Sequence, residues 1–194
     1  MQAALPYIHI AFPALITVCI FIGTFGSQYI YSLSYGGEDF SDRYYLYKII
    51  TANGEVMYFA KDGEKLFGCL PPVHIANAAL AMGVIGCASM LAAAGAAVIL
   101  FKSPTNAPVV LASRVAQVLA AISIAICLAL DIGLYKGTFC GGSYTLSEMG
   151  LKIDYGFAFI IISVILVTIW RIFGFVTAPK SGLGVNENDA LLNE

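Results

Sequence analysis

Polar and charged positions do not alternate evenly along this chain; they gather in short stretches between long apolar runs. A helix crosses the hydrocarbon core of a bilayer with about 20 residues at roughly 1.5 Å each. Four runs of that size occur, at 8–32, 73–101, 115–135 and 155–176. The second closes at Lys102, the third lies between Arg114 and Lys136, and the fourth carries Trp170 and Arg171 near its end. The pattern predicts an integral membrane, mainly α protein: a four-transmembrane-helix bundle over residues 1–176. The alternative for the first run, a cleaved signal peptide, fits less well. Residues 1–7 hold no Lys or Arg, and the run exceeds the roughly 7–15 residues of a signal's apolar stretch.

Between the first two runs the pattern changes. Residues 33–72 form a large loop in which Arg43–Thr51 and Val56–Ala60 are rich in β-formers. Asn53-Gly54 between them is a strong hairpin signal, because both residues tolerate positive φ. Asp62-Gly63 repeats the device before Lys65–Cys69. The reading is a small extracellular antiparallel β-sheet in the first outer loop, a meander over 43–69. A two-residue turn at Asn53-Gly54 pairs Thr51 with Val56 and Ile49 with Tyr58. An irregular loop with two glycine turns is the alternative. A sheet this small is marginal alone in water and must rest on the helix ends or on another protein. The second outer loop, 136–154, is shorter and glycine-rich.

Composition agrees with the membrane reading. Apolar residues are 59% and charged residues 11%, with mean hydropathy +0.84, against roughly 25% charged residues in soluble domains. A net charge of −2 leaves no basic excess for phosphates, so no nucleic-acid partner is expected. Four spans put both termini on one side. The basic residues alone do not decide the side, since Lys102, Arg114, Arg171 and Lys180 fall on one side and six others in the two outer loops. The acids partly resolve it: the connecting segment 102–114 has two bases and no acid, whereas the other two loops hold eight acids, and the expectation is cytoplasmic termini. Cys69 and Cys140 fall in the two outer loops and are candidates for a disulfide, with two free thiols as the alternative. Cys19, Cys87 and Cys127 lie within spans as small packing residues. No Asn-X-Ser or Asn-X-Thr occurs.

Helices in lipid approach one another through small residues and buried polar contacts. The second span, rich in Gly and Ala from Gly83 to Ala97, is therefore expected to be the most buried helix and to touch at least two others. Similar richness occurs in proteolipid rings, but tight four-helix packing is the plainer account. Asp131 is the one acid inside a span. With Gln117, Ala121, Ile124 and Leu128 it forms a stripe that should face the bundle. His74 and Asn77 on the second helix and Gln28 on the first lie at similar depth, so an intramembrane polar cluster of Asp131, His74, Asn77 and Gln28 is expected. An intramembrane carboxylate is by default an ion or proton site, and an interhelical hydrogen bond is the structural alternative. No nucleophile with a matching base, phosphate loop or zinc spacing is present. No catalytic residues, cofactor or metal are expected.

The tail 177–194 is polar and reads as disordered and cytoplasmic. Glu187 four residues before Leu191-Leu192 matches an acidic dileucine sorting signal, which would bring a clathrin adaptor; two leucines near a C-terminus can equally mean nothing.

Four spans, a β-rich first outer loop, a smaller second one and a short tail resemble the claudin-like architecture. Within it, Arg114-Val115-Ala116-Gln117 through Ile132 is similar to the third helix of the amastins, four-span surface proteins of trypanosomatids. Tyr155-Gly156-Phe157-Ala158-Phe159 through Trp170 is similar to their fourth. Leu66-Phe67-Gly68-Cys69 matches part of the amastin loop signature, which carries two cysteines where this loop carries one. The resemblance covers about a third of the chain and implies a plasma-membrane or endosomal protein without catalysis. Two functions follow as expectations. One is membrane organisation or cell-surface contact through the outer sheet, with the lipid bilayer and lateral protein partners or further copies around it. The other is an ion or proton channel, transporter or accessory subunit using Asp131.

Overall fold

The computed structural model of the chain describes residues 5–35, 38–103, 106–139, 141–142 and 145–177. Among the described residues three helices are long and apolar enough to cross a membrane: α3 (Pro71–Lys102), α4 (Ala107–Lys136) and α5 (Tyr155–Thr177), the last over Tyr155–Ile172. These match the expected second, third and fourth spans, α4 starting eight residues early. Its first turn begins beside Pro108, and the Asn106 side chain accepts from the Val109 N–H at 3.4 Å. Proline is well placed in a first turn because the missing N–H has no helical partner there.

The first run ends sooner than its hydropathy suggests. Helix α1 (Leu5–Phe25) holds a shorter apolar stretch, Ile10–Phe25, and stops at Gly26. Residues 29–35, expected within or just beyond the first span, form strand β1 (Tyr29–Tyr35) instead. The reason is local: Tyr29, Tyr31, Leu33 and Tyr35 alternate with Ile30, Ser32 and Ser34, a period of two that a helix cannot use.

Helix α1 packs on α3 and α5, and α4 packs on the same two, so the four helices close a ring. Glycines set the close approaches. A Cβ on Gly23 would lie 2.9 Å from the Ile160 backbone nitrogen, and one on Gly86 would lie 2.9 Å from an Ile124 side-chain carbon. The side of Gly83 is filled by Thr24. Helix α3 does contact two long helices as expected. It is not the most buried: a smaller share of its span is covered than in α4 or α5, and Val84, Ile85, Leu91 and Ile99 are exposed. Small residues permit close approach on every side, but the ring supplies neighbours on only part of the circumference.

The sheet has the order β4-β3-β2-β1-β5, all antiparallel, with β2 (Glu38–Tyr44), β3 (Lys48–Ile50), β4 (Val56–Tyr58) and β5 (Lys152–Ile153). The hairpin at Asn53-Gly54 is present, one residue out of the expected register: Ile50 pairs with Val56 and Ile49 with Met57. Gly54 at φ +80° follows a turn closed by its N–H to Thr51 O at 2.8 Å, and the Thr51 N–H reaches Glu55 O at 3.0 Å. The loop therefore has three residues, with glycine in the left-handed position, and this fixes the partner one residue earlier. Buried Ile49 shares its face with half-buried Met57, while Tyr58 turns outward.

The third expected strand is absent. Residues 59–67 form α2 (Phe59–Phe67), and Asp62-Gly63 lies inside it rather than at a turn. Phe59, Gly63 and Phe67 recur at helical spacing, and the first and last rings meet at 5.3 Å. Gly63 is needed for proximity: a Cβ there would sit 2.6 Å from Val73. Gly68, at φ +70°, ends the helix.

Candidate functional site

Sheet and bundle meet over an apolar floor formed by Tyr29, Ile49, Phe59, Val73, Leu134 and Phe157. Two devices hold the sheet down. The tight turn between β2 and β3, closed by the Tyr45 N–H to Lys48 O at 2.8 Å, puts Leu46 fully inside the bundle core with Ile16 and Ile20. The crossing segment 26–28 is tied on both sides. Gln28 N–H donates to Tyr44 O at 2.7 Å, and the N–H groups of Asp154 and Gly156 donate to Gln28 O and Ser27 O, each at 2.8 Å. No side chain fits at Gly156, where a Cβ would lie 2.6 Å from Ser27 O.

At this junction Asp131 is fully buried, so the stripe with Ile124 does face inward. Its partner is Tyr29. The phenol O–H donates to the Asp131 carboxylate Oδ1 and lies 2.7 Å from the Asp131 main-chain oxygen. Tyr29 stacks on Tyr135 at 5.1 Å between ring centres and leans on Phe157 at 6.1 Å. The Tyr135 hydroxyl in turn donates to Leu151 O at 2.9 Å, beside β5. Burial, and then the Asp131 carboxylate, push the Tyr29 phenol well above its ordinary range, so it remains a donor at any physiological pH. Asp131 Oδ2 and Gln28 Oε1 are buried without a hydrogen-bond partner.

The expected cluster is thus corrected in membership. His74 and Asn77 are exposed on α3 and do not meet Asp131. Gln28 is buried, but its amide turns back to donate to Gly23 O at 2.5 Å and Gly26 O at 3.1 Å. Tyr29, the actual partner, lies inside the expected first span, and the Tyr-Ile-Tyr-Ser-Leu-Ser-Tyr alternation is the sequence signal for the strand that carries it. Helical depth placed Asp131 at the right level, but not which element would descend to it.

Cys19, Cys87 and Cys127 are free thiols within the helices. Cys140 lies outside the described residues, as do Glu187, Leu191 and Leu192, so neither the disulfide nor the sorting signal has a structural description. Among the described residues no group of three or more His, Cys, Asp or Glu side chains is placed to hold a metal ion. The junction offers a buried carboxylate, a fixed phenol donor and stacked rings; its evident chemistry is a hydrogen-bonded tie between sheet and helix. No protein-family model matches the chain, and no curated protein matches it.

Proposed function

We propose that the chain is a non-enzymatic, four-span surface or endosomal membrane protein that organises membrane or cell-surface contacts through its sheet. The first helix serves as the fourth span, and both termini are cytoplasmic. One observation carries the reading. Beyond the pairs Tyr29–Tyr44 and Ile30–Arg43, the β1–β2 hairpin continues without β3 or β5 beside it, and there Leu33 pairs with Phe40. Both side chains are exposed, 51% and 40%. A firmly anchored sheet that offers an apolar pair on a free hairpin is built for contact. Its partners would be lateral proteins or further copies of the chain. A divergent amastin-like, claudin-like protein fits this arrangement, and Glu187 with Leu191 and Leu192 would connect it to a clathrin adaptor.

The test is Leu33→Ser with Phe40→Ser, read by cross-linking or energy transfer between tagged proteins in cells. Lost association with unchanged thermal unfolding is the expected result. Unchanged association defeats the reading.

A second reading rests on Asp131 Oδ2, buried without a partner: ion or proton handling by a channel, transporter or accessory subunit. A flux in liposomes that Asp131→Asn abolishes would establish it in place of a structural tie.

A further inference from the structure

Strand β1 is covered on one side by β2 along its whole length, and on the other by β5 only at Tyr29 and Ile30. Among the described residues no strand continues β5 along 31–35. We propose that this open edge takes the same edge of a second copy of the chain, antiparallel and two-fold about Leu33. The proposal rests on the contact role given above and names its partner.

The edge matches itself. Tyr31-Ser32-Leu33-Ser34-Tyr35 reads the same in both directions. Laid antiparallel on itself about Leu33, the segment sets tyrosine opposite tyrosine, serine opposite serine and leucine opposite leucine. Aromatic, hydroxyl and apolar pairs of this kind are the favourable ones across a ladder. The length agrees as well, because the self-pairing ends at Tyr31, one residue before β5 takes over at Ile30.

The main chain supports the same register. The Asp154 N–H donates to Gln28 O beside the pair Tyr29–Ile153, which directs the main-chain groups of Ile30 toward β5. By alternation those of Ser32 and Ser34 point the same way. The two-fold register sets Ser32 against Ser34 of the second copy, so outward groups meet outward groups. Leu33 then faces its mate in the closer, non-hydrogen-bonded kind of pair, at about 4.5 Å between Cα atoms. Phe40 lies beside Leu33 on β2, and both are exposed in a single copy. Joined, the two sheets carry one apolar row of Phe40, Leu33 and their two mates.

The other side of the hairpin does not offer this match. Strand β2 runs past β3 with Glu38, Asp39 and Asp42, and self-pairing about Phe40 would set Glu38 against Asp42, like charges that repel across a ladder. Asp42 is also engaged by the neighbouring turn, accepting from the Ala52 N–H at 2.8 Å. Strand β1 holds no charge and no proline, two of the devices that keep exposed edges from pairing. A two-fold pair uses up both edges and closes, so the bare edge ends in a dimer and not in an open chain of copies.

The experiment places Leu33→Cys in the full chain, reconstitutes it in phosphatidylcholine liposomes and oxidises it with copper phenanthroline. Cα atoms about 4.5 Å apart lie within the reach of a disulfide. A covalent dimer should therefore form, its linked peptides joined position 33 to position 33. Val56→Cys, exposed on β4 at the opposite edge of the sheet, should give no dimer beyond the wild-type background. Adding Ser32→Pro, which removes an N–H pointing away from β2, should abolish the dimer of Leu33→Cys. If Ser32→Pro fails to fold, Ser32→Lys puts a charge on the same edge and should have the same effect. Linkage at position 33 no greater than at position 56 overturns the proposal, and so does a dimer that survives the edge variants. If position 33 stays unlinked while Leu33→Ser with Phe40→Ser still loses association in cells, the sheet meets a different protein. The self-pairing then fails and the contact role stands; if association in cells is also unchanged, both fail.

Discussion

Tyr29 and Asp131 stand 102 positions apart in the sequence and share one hydrogen bond, phenol to carboxylate, at the place where strand meets helix. Truncating the donor leaves Oδ1 buried with no partner, whereas truncating the acceptor leaves the phenol the Asp131 main-chain oxygen at 2.7 Å. Tyr29→Phe should cost about 1–3 kcal/mol, and the double variant with Asp131→Ala should recover about 0.6–1.7 kcal/mol of coupling. Thermal unfolding in detergent measures the cycle. His74→Ala and Asn77→Ala, at exposed sites, should change stability by less than about 0.5 kcal/mol.

The same pair has an alkaline signature. The Tyr29 phenol is raised in the folded protein by burial and the nearby carboxylate. A raised group contributes stability below its unfolded value, about pH 10, and that contribution is lost as pH climbs toward the folded value. Unfolding midpoints followed upward from pH 9 should fall more steeply in the wild type than in Tyr29→Phe.

Glycines divide by what surrounds them. Gly156→Ala thrusts a methyl against Ser27 O and the Gln28 amide and should destabilise by about 1–3 kcal/mol. Gly95 has nothing within 4 Å of the same position, so Gly95→Ala should be neutral or stabilising by up to about 1 kcal/mol. Paired melting curves decide it, and equal effects would contradict the α1–α5 approach.

Gly54 and Gly63 both follow an Asn or Asp, but only Gly54 is left-handed. Gly54→Ala should cost about 1–2 kcal/mol from backbone strain. Hydrogen exchange should find the amides of 63–67 protected as a helix, where a hairpin turn at Asp62-Gly63 would leave its central amides fast.

For the loop cysteines we propose a Cys69–Cys140 bridge. Phe67 and Phe139, each close to one of them in sequence, pack against the same apolar floor. Protein from an oxidising compartment should then show three thiols under denaturing conditions, Cys19, Cys87 and Cys127, and five after reduction. Five before reduction rejects the bridge.

The three later helices were legible because twenty apolar residues in a row have one cheap arrangement in lipid; α3 and α4 end at Lys102 and Lys136, where charge returns, but α4 begins at Ala107 and runs through Arg114. The inward turn of Asp131 was legible for a related reason, helical spacing with Ile124. What misled was competition between equal local signals. Apolar content carried the first span past Gly26 into residues whose alternation already spelled a strand. A two-residue turn pattern concealed the helical recurrence of Phe59, Gly63 and Phe67. Strand β5, two residues long, had no local signal; it exists because β1 offered an edge beside it. The Tyr29 contact depended on β1 and was lost with it.

That two-residue strand also sets a timetable for biosynthesis. Strands β1 to β4 are complete by Tyr58, while Lys152 and Ile153 leave the ribosome 94 residues later than Tyr58. At about 5–20 residues per second that is a delay of roughly 5–19 seconds. Throughout it the β1 edge that β5 will cover stays open, a template for any passing strand. Sheet closure therefore reports that α3 and α4 have been made and that the chain has turned back toward the first loop. A nascent protein stalled before Lys152 would display an uncovered strand that a membrane chaperone could read as unfinished.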